Sequence, residues 1–352
     1  MDSETPGPDE PLEDVEPGEA EGPAGTVETP EADESPVVEA DERPAVDKPA
    51  VIDEPDEAEA EEAAEEAEEL LEARPDDDHV EEREPVAAKV QLDPGDRRVA
   101  IGVDVGGSGI KAAAVDLDTG EIIGLRHRVP TPQPSTPAAV VASIARMIRK
   151  IVSEVKLGPG IPVGVGFPAV ILDGITKSAA NVDAGWMDFD ADTALERVLK
   201  RPVHMVNDAD AAGVAEMRFG AGVGERGTVL LITLGTGTGS ALFWNGTLVP
   251  NLELGHMEIR GRDAERRSAA AARVRRGLSW KAWAGDLDEH LLAIERLFSP
   301  RLFIIGGGVS KRADLFIPRL TVRARVVPAK LRNDAGIVGA AMASAEQESA
   351  AG

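Results

Sequence analysis

Asp208 stands directly after an apolar run and an asparagine, in the stretch VNDADAAGVAEMRFG (206–220). A carboxylate at the end of a buried strand costs desolvation free energy unless it is paired or used. If Asp208 faces a cleft, it can accept the proton of a substrate hydroxyl while Asn207 orients that substrate. The alternative is that the Asn-Asp pair only caps the following helix, which is the usual role of such a pair in isolation. The neighbouring motifs favour the catalytic role.

A glycine turn, DVGGSGIK (104–111), has the residues to bind a phosphate. Glycines let backbone N–H groups approach an anion closely, Asp104 can hold a hydrated cation, and Lys111 can balance negative charge. We therefore expect phosphate together with Mg²⁺, which Asp104 binds through water. The residues predicted to bind the phosphate donor here are Asp104, Gly106, Gly107, Ser108, Gly109 and Lys111.

A second glycine turn, LGTGTGS (234–240), and three glycines at 306–308 extend the same chemistry. A single glycine hairpin is most often only a tight turn. Two of them in corresponding halves of the chain, with a third glycine run after another apolar stretch, predict a site for a phosphoryl donor. The donor-binding residues predicted here are Thr236, Gly237, Thr238 and Gly307.

The stretch ELGHMEI (253–259) follows the second glycine unit and places Glu253, His256 and Glu258 within six residues. A histidine found alone is usually structural. Carboxylates accept hydrogen bonds from adjacent sugar hydroxyls, and imidazole can donate or accept, so the set predicts binding of a polyhydroxyl substrate. The spacing is not that of a zinc site, and the chain has no cysteine to complete one.

From Arg97 onward, short β-branched runs broken by glycine alternate with Ala/Leu-rich helical stretches, which is the α/β pattern. The strand, glycine turn and strand unit occurs twice, so we predict two similar lobes facing each other across a cleft. The predicted N-terminal lobe spans 97–206 and the C-terminal lobe 207–332, and a small-residue helix at 333–347 packs back on the first lobe. Thr136 and Pro137 predict the start of a helix that runs to residue 155.

Residues 1–90 have a different composition, with 35 Asp+Glu and 5 Lys+Arg, no aromatic residue and 12 of the 25 prolines. Such a segment lacks the apolar area to offset the entropy of ordering it. We predict a disordered acidic tail over 1–96. It is either a solvated solubility tail or an electrostatic arm that competes with a polyanionic ligand for the protein's basic surface.

The chain contains no cysteine and no run of about 18 apolar residues, and its N-terminus has no basic-then-apolar signal pattern. These features exclude disulfides and thiolate metal sites. They predict a cytoplasmic protein that is not bound to a membrane.

The motifs DVGGSGIK, NDADAAG, LGTGTGS, ELGH and IIGGGVSK occur in this order, and with them residues 98–347 resemble the ROK family of sugar kinases. That resemblance implies the actin/hexokinase-like (ribonuclease H-like) two-lobed ATPase fold. Within the family the chain looks most like the polyphosphate glucokinases of bacteria. This resemblance implies an enzyme that phosphorylates the 6-hydroxyl of glucose with polyphosphate and with ATP, uses Mg²⁺ and forms a homodimer.

Carried over residue by residue, the resemblance assigns the catalytic base to Asp208. It assigns the glucose contacts to Asn181, Asn207, Glu253, His256 and Glu258. Most ROK proteins have a cysteine-rich zinc loop after the ELGH position, and this chain has none, so we expect no structural zinc.

Seven arginines lie between Arg260 and Arg276. They form either a solvated helix face or a row of guanidinium groups that holds polyphosphate. The candidates for such a surface are Arg262, Arg266, Arg267, Lys311 and Arg312.

Three rival functions stay open at this point: a kinase for another hexose such as mannose or N-acetylglucosamine, a non-enzymatic ROK sugar sensor, and an ATP-driven machine of the actin type. A DNA-binding regulator would need a helix-turn-helix where residues 1–96 are acidic, and an acidic segment repels nucleic acid. The actin-type machine has no reason to contain ELGH. We therefore expect no nucleic-acid partner.

Overall fold

The computed structural model describes residues 98–179 and 182–351. The predicted acidic tail, 1–96, and the predicted glucose contact Asn181 lie outside these ranges.

The first sheet contains five strands in the order β3-β2-β1-β4-β7. Their bounds are β1 Val99–Val105, β2 Ile110–Asp116, β3 Ile122–Val129, β4 Val163–Phe167 and β7 Val203–Asn207. The first three strands are antiparallel because tight turns join them, whereas β4 and β7 run parallel to β1. The carboxyl ends of β1, β4 and β7 therefore lie at one edge of the sheet. A small hairpin, β5 Ile171–Leu172 and β6 Ile175–Thr176, follows β4.

The second sheet repeats this arrangement, in the order β10-β9-β8-β13-β14. Its strands are β8 Thr228–Leu234, β9 Thr238–Trp244, β10 Thr247–Val249, β13 Leu302–Gly306 and β14 Arg325–Pro328. Again three antiparallel strands come first, and two parallel strands extend the sheet from β8. A second small hairpin consists of β11 Glu258–Ile259 and β12 Arg262–Asp263. The α/β pattern with a repeated strand unit, predicted from the sequence, is confirmed.

The helices are α1 Pro137–Val155, α2 Ala191–Leu199, α3 Asp208–Phe219, α4 Glu265–Ser268, α5 Ala270–Arg275, α6 Trp280–Phe298, α7 Ala313–Phe316 and α8 Ala335–Ala351. The predicted cap of α1 is confirmed, because Thr136 accepts a hydrogen bond from the Ala139 N–H at 3.4 Å. Within the described ranges, no helix combines the length and the apolar character that crossing a bilayer requires.

Each sheet has its own apolar core. Val140, Ile144 and Ile148 of α1 pack with β1 and β4 in the first core. Trp283 and Leu287 of α6 pack with β8 and β13 in the second.

Helices α3 and α8 pack against each other; α8 covers β1 and β4, and α3 contacts β9. Glycines permit this close packing. A Cβ added at Gly164 would lie 1.7 Å from the Ala340 carbonyl oxygen, and one added at Gly339 would lie 1.6 Å from that of Ala211. Helices α8 and α3 therefore connect the two halves closely. The lobe boundaries at 97–206 and 207–332 stay a prediction.

Candidate active site

The first glycine turn and the Asn207-Asp208 pair lie at the same edge of the first sheet. The turn follows β1, and Asn207 is the last residue of β7. Strand β4 lies between them and is parallel to both. Ligands of open α/β sheets bind at the carboxyl ends of such strands. The topology therefore brings Asp104 and Asp208 together, although 104 positions separate them in the chain.

Asn207, and not Asp208, caps helix α3. The Asn207 Oδ1 atom accepts hydrogen bonds from the N–H groups of Ala209, at 2.9 Å, and Asp210, at 3.1 Å. The Asn207 amide nitrogen lies 3.2 Å from the Ala169 carbonyl oxygen and 3.4 Å from a carboxylate oxygen of Glu253. The Asp208 Oδ1 atom accepts from Ala209 at 2.8 Å. No described residue hydrogen-bonds to Asp208 Oδ2, so that oxygen is available to a ligand.

The environment of Asp208 raises the pKa of its carboxyl from an ordinary 3.8 to about 7. Burial is the largest cause, and the nearby carboxylate of Asp104 is the second; Glu253 adds to the effect, while the Ala209 N–H opposes it. Burial and like charge both disfavour the ionised form. A carboxyl with a pKa near neutral pH is suited to accept a proton in one step and release it afterwards.

The second glycine turn also lies beside Asp208. A Cβ added at Gly239, at the start of β9, would lie 2.9 Å from the Cβ of Ala209, the residue after Asp208. The third glycine run packs on the end of β8: Gly307 has a φ of 82°, and a Cβ added there would lie 2.2 Å from the Leu234 carbonyl oxygen. Asp208 is therefore close to both turns. The charge of Asp104, before the first turn, acts on it, and its neighbour Ala209 packs against Gly239 of the second turn.

The first glycine turn is closed by a hydrogen bond from the Gly106 N–H to the Gly109 carbonyl at 3.0 Å. Gly107 and Ser108, at its tip, are exposed. Asp104 faces Lys111 across the β1–β2 ladder, and their charged groups are 3.4 Å apart. A Cβ added at Gly336, in the first turn of α8, would lie 2.9 Å from the Asp104 carboxyl carbon. Asp104 is therefore held in place on two sides.

The second glycine turn presents Thr236 and Gly235 to solvent but buries Thr238. The N–H of Thr238 donates to Glu265 at 3.0 Å, and its hydroxyl lies 3.3 Å from the hydroxyl of Ser268. We expected the Thr238 hydroxyl to meet the phosphate donor, and the structure instead engages it with protein groups. Side chains alternate between the two faces of a strand, and the sequence did not indicate which face is buried.

Among the predicted sugar contacts, Glu253 lies nearest to the Asn207-Asp208 pair, through the Asn207 amide. Burial raises the pKa of Glu253, and the charge of His256 partly opposes that rise. His256 is exposed, and its Nδ1 atom lies 3.1 Å from a carboxylate oxygen of Asp263. That hydrogen bond raises the pKa of His256. Glu258 is exposed on β11, where it pairs with Asp263 in the strand ladder.

Two residues that sequence reasoning did not assign, Asp210 and Asn251, link the sugar loop to helix α3. An oxygen of Asp210, a residue only 2% exposed, accepts the Asn251 N–H at 2.7 Å. The Asn251 side chain pairs with both backbone groups of Ile171, at 2.9 and 2.8 Å. Burial is the main cause that raises the pKa of Asp210 to about 7. The second carboxylate of NDAD, two residues after Asp208, was the available signal.

The arginine row does not form one uniform basic face. Arg267 pairs with Asp286 and with Glu289, both on α6. Arg262 and Arg266 are exposed, as are Lys311 and Arg312 after the third glycine run. Arg267 is therefore not a free cation, but it shares Asp286 with Arg276 and Glu289 with Arg260, so two carboxylates face three arginines. Its place on a polyphosphate surface stays a prediction.

One group of side chains in the described residues could hold a metal ion. Ligand atoms of His256, Asp263 and Glu265 all lie within 4.8 Å of one another. Asp104 supplies the oxygen ligand that Mg²⁺ prefers, near the carboxyl end of β1. The structure therefore offers two positions for a cation in the described residues.

A cavity of about 280 Å³ lies between the first glycine turn, the segment 131–135 and the end of β4. Its lining combines apolar side chains such as Val140 and Phe167 with polar side chains from 131–135. The side chains and glycines that form it include Gly106, Thr131, Gln133, Ser135, Phe167, Asp183 and Trp186. A pocket that combines apolar side chains with a few polar groups is the usual form of a small-molecule site.

The chain is similar to known proteins. The family model described as ROK family matches residues 100–273. The polyphosphate glucokinase of Mycobacterium tuberculosis is 48% identical over 249 residues, which are 70% of this chain and 92% of that protein.

Two solved structures are also similar. Inorganic polyphosphate/ATP-glucomannokinase from Arthrobacter sp. strain KM has 53% identity and a TM-score of 0.69, over 71% of this chain and 99% of that one. A ROK family glucokinase from Streptomyces griseus, solved with glucose and AMPPNP, has 25% identity and a TM-score of 0.60, over 70% and 99% of the two chains.

Proposed function

Because this chain belongs to the ROK family of sugar kinases and has their actin/hexokinase-like fold, we propose that it is a glucokinase. It transfers a phosphoryl group from polyphosphate, and from ATP, to the 6-hydroxyl of glucose. The names of its relatives support both the acceptor and the donors. The observation that carries the proposal for the site is the position of Asp208, between the two glycine turns and beside the Asn207–Glu253 pair.

In this reaction Asp208 is the general base. The free Oδ2 atom accepts the proton of the glucose 6-hydroxyl as that oxygen attacks the terminal phosphorus of the donor. The new bond joins oxygen 6 to phosphorus, and the bond between that phosphorus and the bridging oxygen of the donor breaks. Asn207 and Glu253 hold the sugar, and His256 contributes from the rim. Asn207 can do so while it caps α3, because its amide nitrogen points toward Glu253.

The glycine turns hold the donor. The N–H groups of Gly107 and Ser108 on one side, and of Thr236 and Gly237 on the other, are positioned to bind phosphate oxygens. Kinases of this type need a divalent metal ion, and we propose Mg²⁺ at Asp104. A cation there would offset negative charge on the transferred group. Lys111, which is 3.4 Å from Asp104, balances charge at the same place.

Several finer features remain proposals. They are the polyphosphate surface at Arg262, Arg266, Arg267, Lys311 and Arg312, the cytoplasmic location, the homodimer and the lack of structural zinc. The glucomannokinase relative makes mannose the first alternative acceptor to test.

The function can be tested with the purified full-length protein and glucose, with polyphosphate or ATP as donor, in the presence and absence of Mg²⁺. We expect glucose 6-phosphate from both donors, and only with the metal. Formation of product from mannose or N-acetylglucosamine but not from glucose would assign another hexose. Absence of transfer to any hexose, with glucose still bound, would favour a sugar sensor.

The assignment of the base is tested by Asp208→Asn. We expect glucose binding to persist and turnover to fall by about 10²–10⁴-fold, which is the usual contribution of a general base. Asp210→Asn is the matched control, because Asp210 lies on the same helix and also has a pKa of about 7. It should lose less than about tenfold. Equal losses in the two variants would remove Asp208 as the base.

A further inference from the structure

His290 is a buried histidine of helix α6 that the proposed mechanism does not use. It is only 1% exposed, yet both of its ring nitrogens have hydrogen-bond partners. The Nε2 atom lies 3.0 Å from the Leu254 carbonyl oxygen, and the Nδ1 atom lies 2.9 Å from the Ser268 hydroxyl. Ser268 in turn lies 3.3 Å from the hydroxyl of Thr238. A chain of buried polar groups therefore runs from the second glycine turn to the ELGH segment.

The direction of these hydrogen bonds follows from the chemistry of the groups. A carbonyl oxygen only accepts, so the His290 Nε2 atom carries a hydrogen. Burial lowers the pKa of His290, so the ring is neutral and Nδ1 accepts from Ser268. The Ser268 hydroxyl also lies 3.1 Å from the Ala264 carbonyl, and its single proton is shared between these acceptors. The Thr238 hydroxyl is left to donate to Ser268.

This series of hydrogen bonds ends at Leu254, the residue after Glu253. The N–H of Leu254 donates to the Ser240 hydroxyl at 3.0 Å, while the carbonyl of Leu254 accepts from His290. Two successive peptide groups are thus each held by a side chain from another part of the chain. The packing is equally close, because a Cβ added at Gly255 would lie 2.3 Å from the Thr238 carbonyl oxygen. The backbone that presents Glu253 has little freedom to turn.

We propose that His290 is a positioning residue of the acceptor site. Through Leu254 it fixes the direction of Glu253 toward Asn207, and through Ser268 and Thr238 it ties that segment to the second glycine turn. This buried hydrogen-bond chain, together with the bonds from Ser240, thereby sets the distance between the sugar contacts and the donor turn. This inference rests on the proposed function for the identity of the sugar, but the hydrogen bonds and their effect on the backbone do not.

The other explanation is that His290 only fills the core. Two substitutions separate the explanations because each preserves a different bond. In His290→Gln the side-chain amide nitrogen can still donate to the Leu254 carbonyl, but no atom replaces Nδ1 as the acceptor for the Ser268 hydroxyl. In His290→Asn the side-chain oxygen can still accept from Ser268, but the bond to Leu254 is lost. Each variant loses one buried hydrogen bond, so their melting temperatures should fall by similar amounts.

We expect the glucose KM to rise about five- to tenfold in His290→Asn, which corresponds to one lost hydrogen bond, and to stay within about twofold in His290→Gln. The KM for ATP should change by less than the KM for glucose in His290→Asn. Ser240→Ala removes the hydrogen bonds of the Ser240 hydroxyl with the Leu254 N–H and with the Leu252 carbonyl. It should raise the glucose KM by at least a similar factor, and it can replace His290→Asn if that variant does not fold. Equal glucose KM values in all folded variants would overturn the proposal.

Amide hydrogen exchange of residues 252–257 in the ligand-free full-length protein tests the same inference without activity. Exchange should be faster in His290→Asn and in Ser240→Ala than in His290→Gln. If the wild-type protein does not phosphorylate glucose but this order holds, the glucokinase proposal fails and the positioning role stands. If exchange is the same in every variant, His290 does not hold the segment.

Discussion

The acid limb of the pH profile follows directly from the environment of Asp208. Burial and the carboxylates of Asp104 and Glu253 raise its pKa from 3.8 to about 7. A general base must be ionised, so the rate follows the ionised fraction. With a pKa of 7 that fraction is roughly nine tenths at pH 8, one half at pH 7 and one tenth at pH 6. We expect kcat/KM for glucose to fall about tenfold between pH 8 and pH 6, where an ordinary aspartate would give a flat profile.

Two variants identify the group behind this limb. In the metal-free protein, Asp104→Asn removes a negative charge near Asp208, which makes ionisation of Asp208 easier, so the midpoint of the Asp208 titration should move to lower pH. Burial remains in that variant, so the midpoint should stay above the ordinary value of 3.8. Asp210→Asn should move the midpoint less than Asp104→Asn does, because the interaction between Asp208 and Asp210 is the smallest cause that shifts Asp210, whereas Asp104 is the second largest cause that shifts Asp208. Both variants can be compared by profile shape even if their absolute rates differ.

The assay is the initial rate of glucose 6-phosphate formation from pH 5 to 9 at constant ionic strength and saturating Mg²⁺. It should be performed with polyphosphate and with ATP. A limb that belongs to the enzyme has the same midpoint with both donors, whereas titration of a donor gives two midpoints. A flat profile between pH 5 and pH 8, or an Asp208 midpoint that rises in metal-free Asp104→Asn, would refute the reasoning.

Two further predictions concern stability. Gly164→Ala should destabilise the protein by about 3 kcal/mol or more, because the new Cβ would lie 1.7 Å from the Ala340 backbone oxygen and force α8 away from β4. Gly158→Ala, where no atom within the described chain lies within 4 Å of an added Cβ, should stay within about 0.5 kcal/mol in urea unfolding. Asp208→Asn should stabilise the protein at pH 8, because a raised pKa in the folded state means that stability is lost as the pH rises through about 7. A rise in the pKa of Asp208 from 3.8 to about 7 corresponds to at most about 4 kcal/mol of unfolding free energy. Because Asp208 is only half-buried, we expect Asp208→Asn to gain about 1–3 kcal/mol of stability at pH 8 and almost none at pH 4. An equal gain at both pH values would contradict this explanation.

The sequence by itself determined the family, the two glycine units and the main chemistry. The turns DVGGSGIK and LGTGTGS had to join antiparallel strands because glycine and a short polar connection favour a hairpin, and they do so at β1–β2 and β8–β9. The order of five motifs was enough to identify a ROK sugar kinase. The cap at Thr136 was equally predictable, because capping depends on neighbours within one helical turn. Roles for Asp208 and Glu253 follow from that resemblance and stay predictions.

Only the tertiary structure decided how these residues are oriented and paired. It showed that Asn207 caps α3 while one oxygen of Asp208 stays free, although both are candidates for the cap in sequence. It turned the Thr238 hydroxyl inward and paired Arg267 with Asp286. It also connected His290 to Leu254, 36 positions earlier in the chain. Such partners come from distant segments that meet only when the sheets and helices pack, so no local pattern in the sequence contains them.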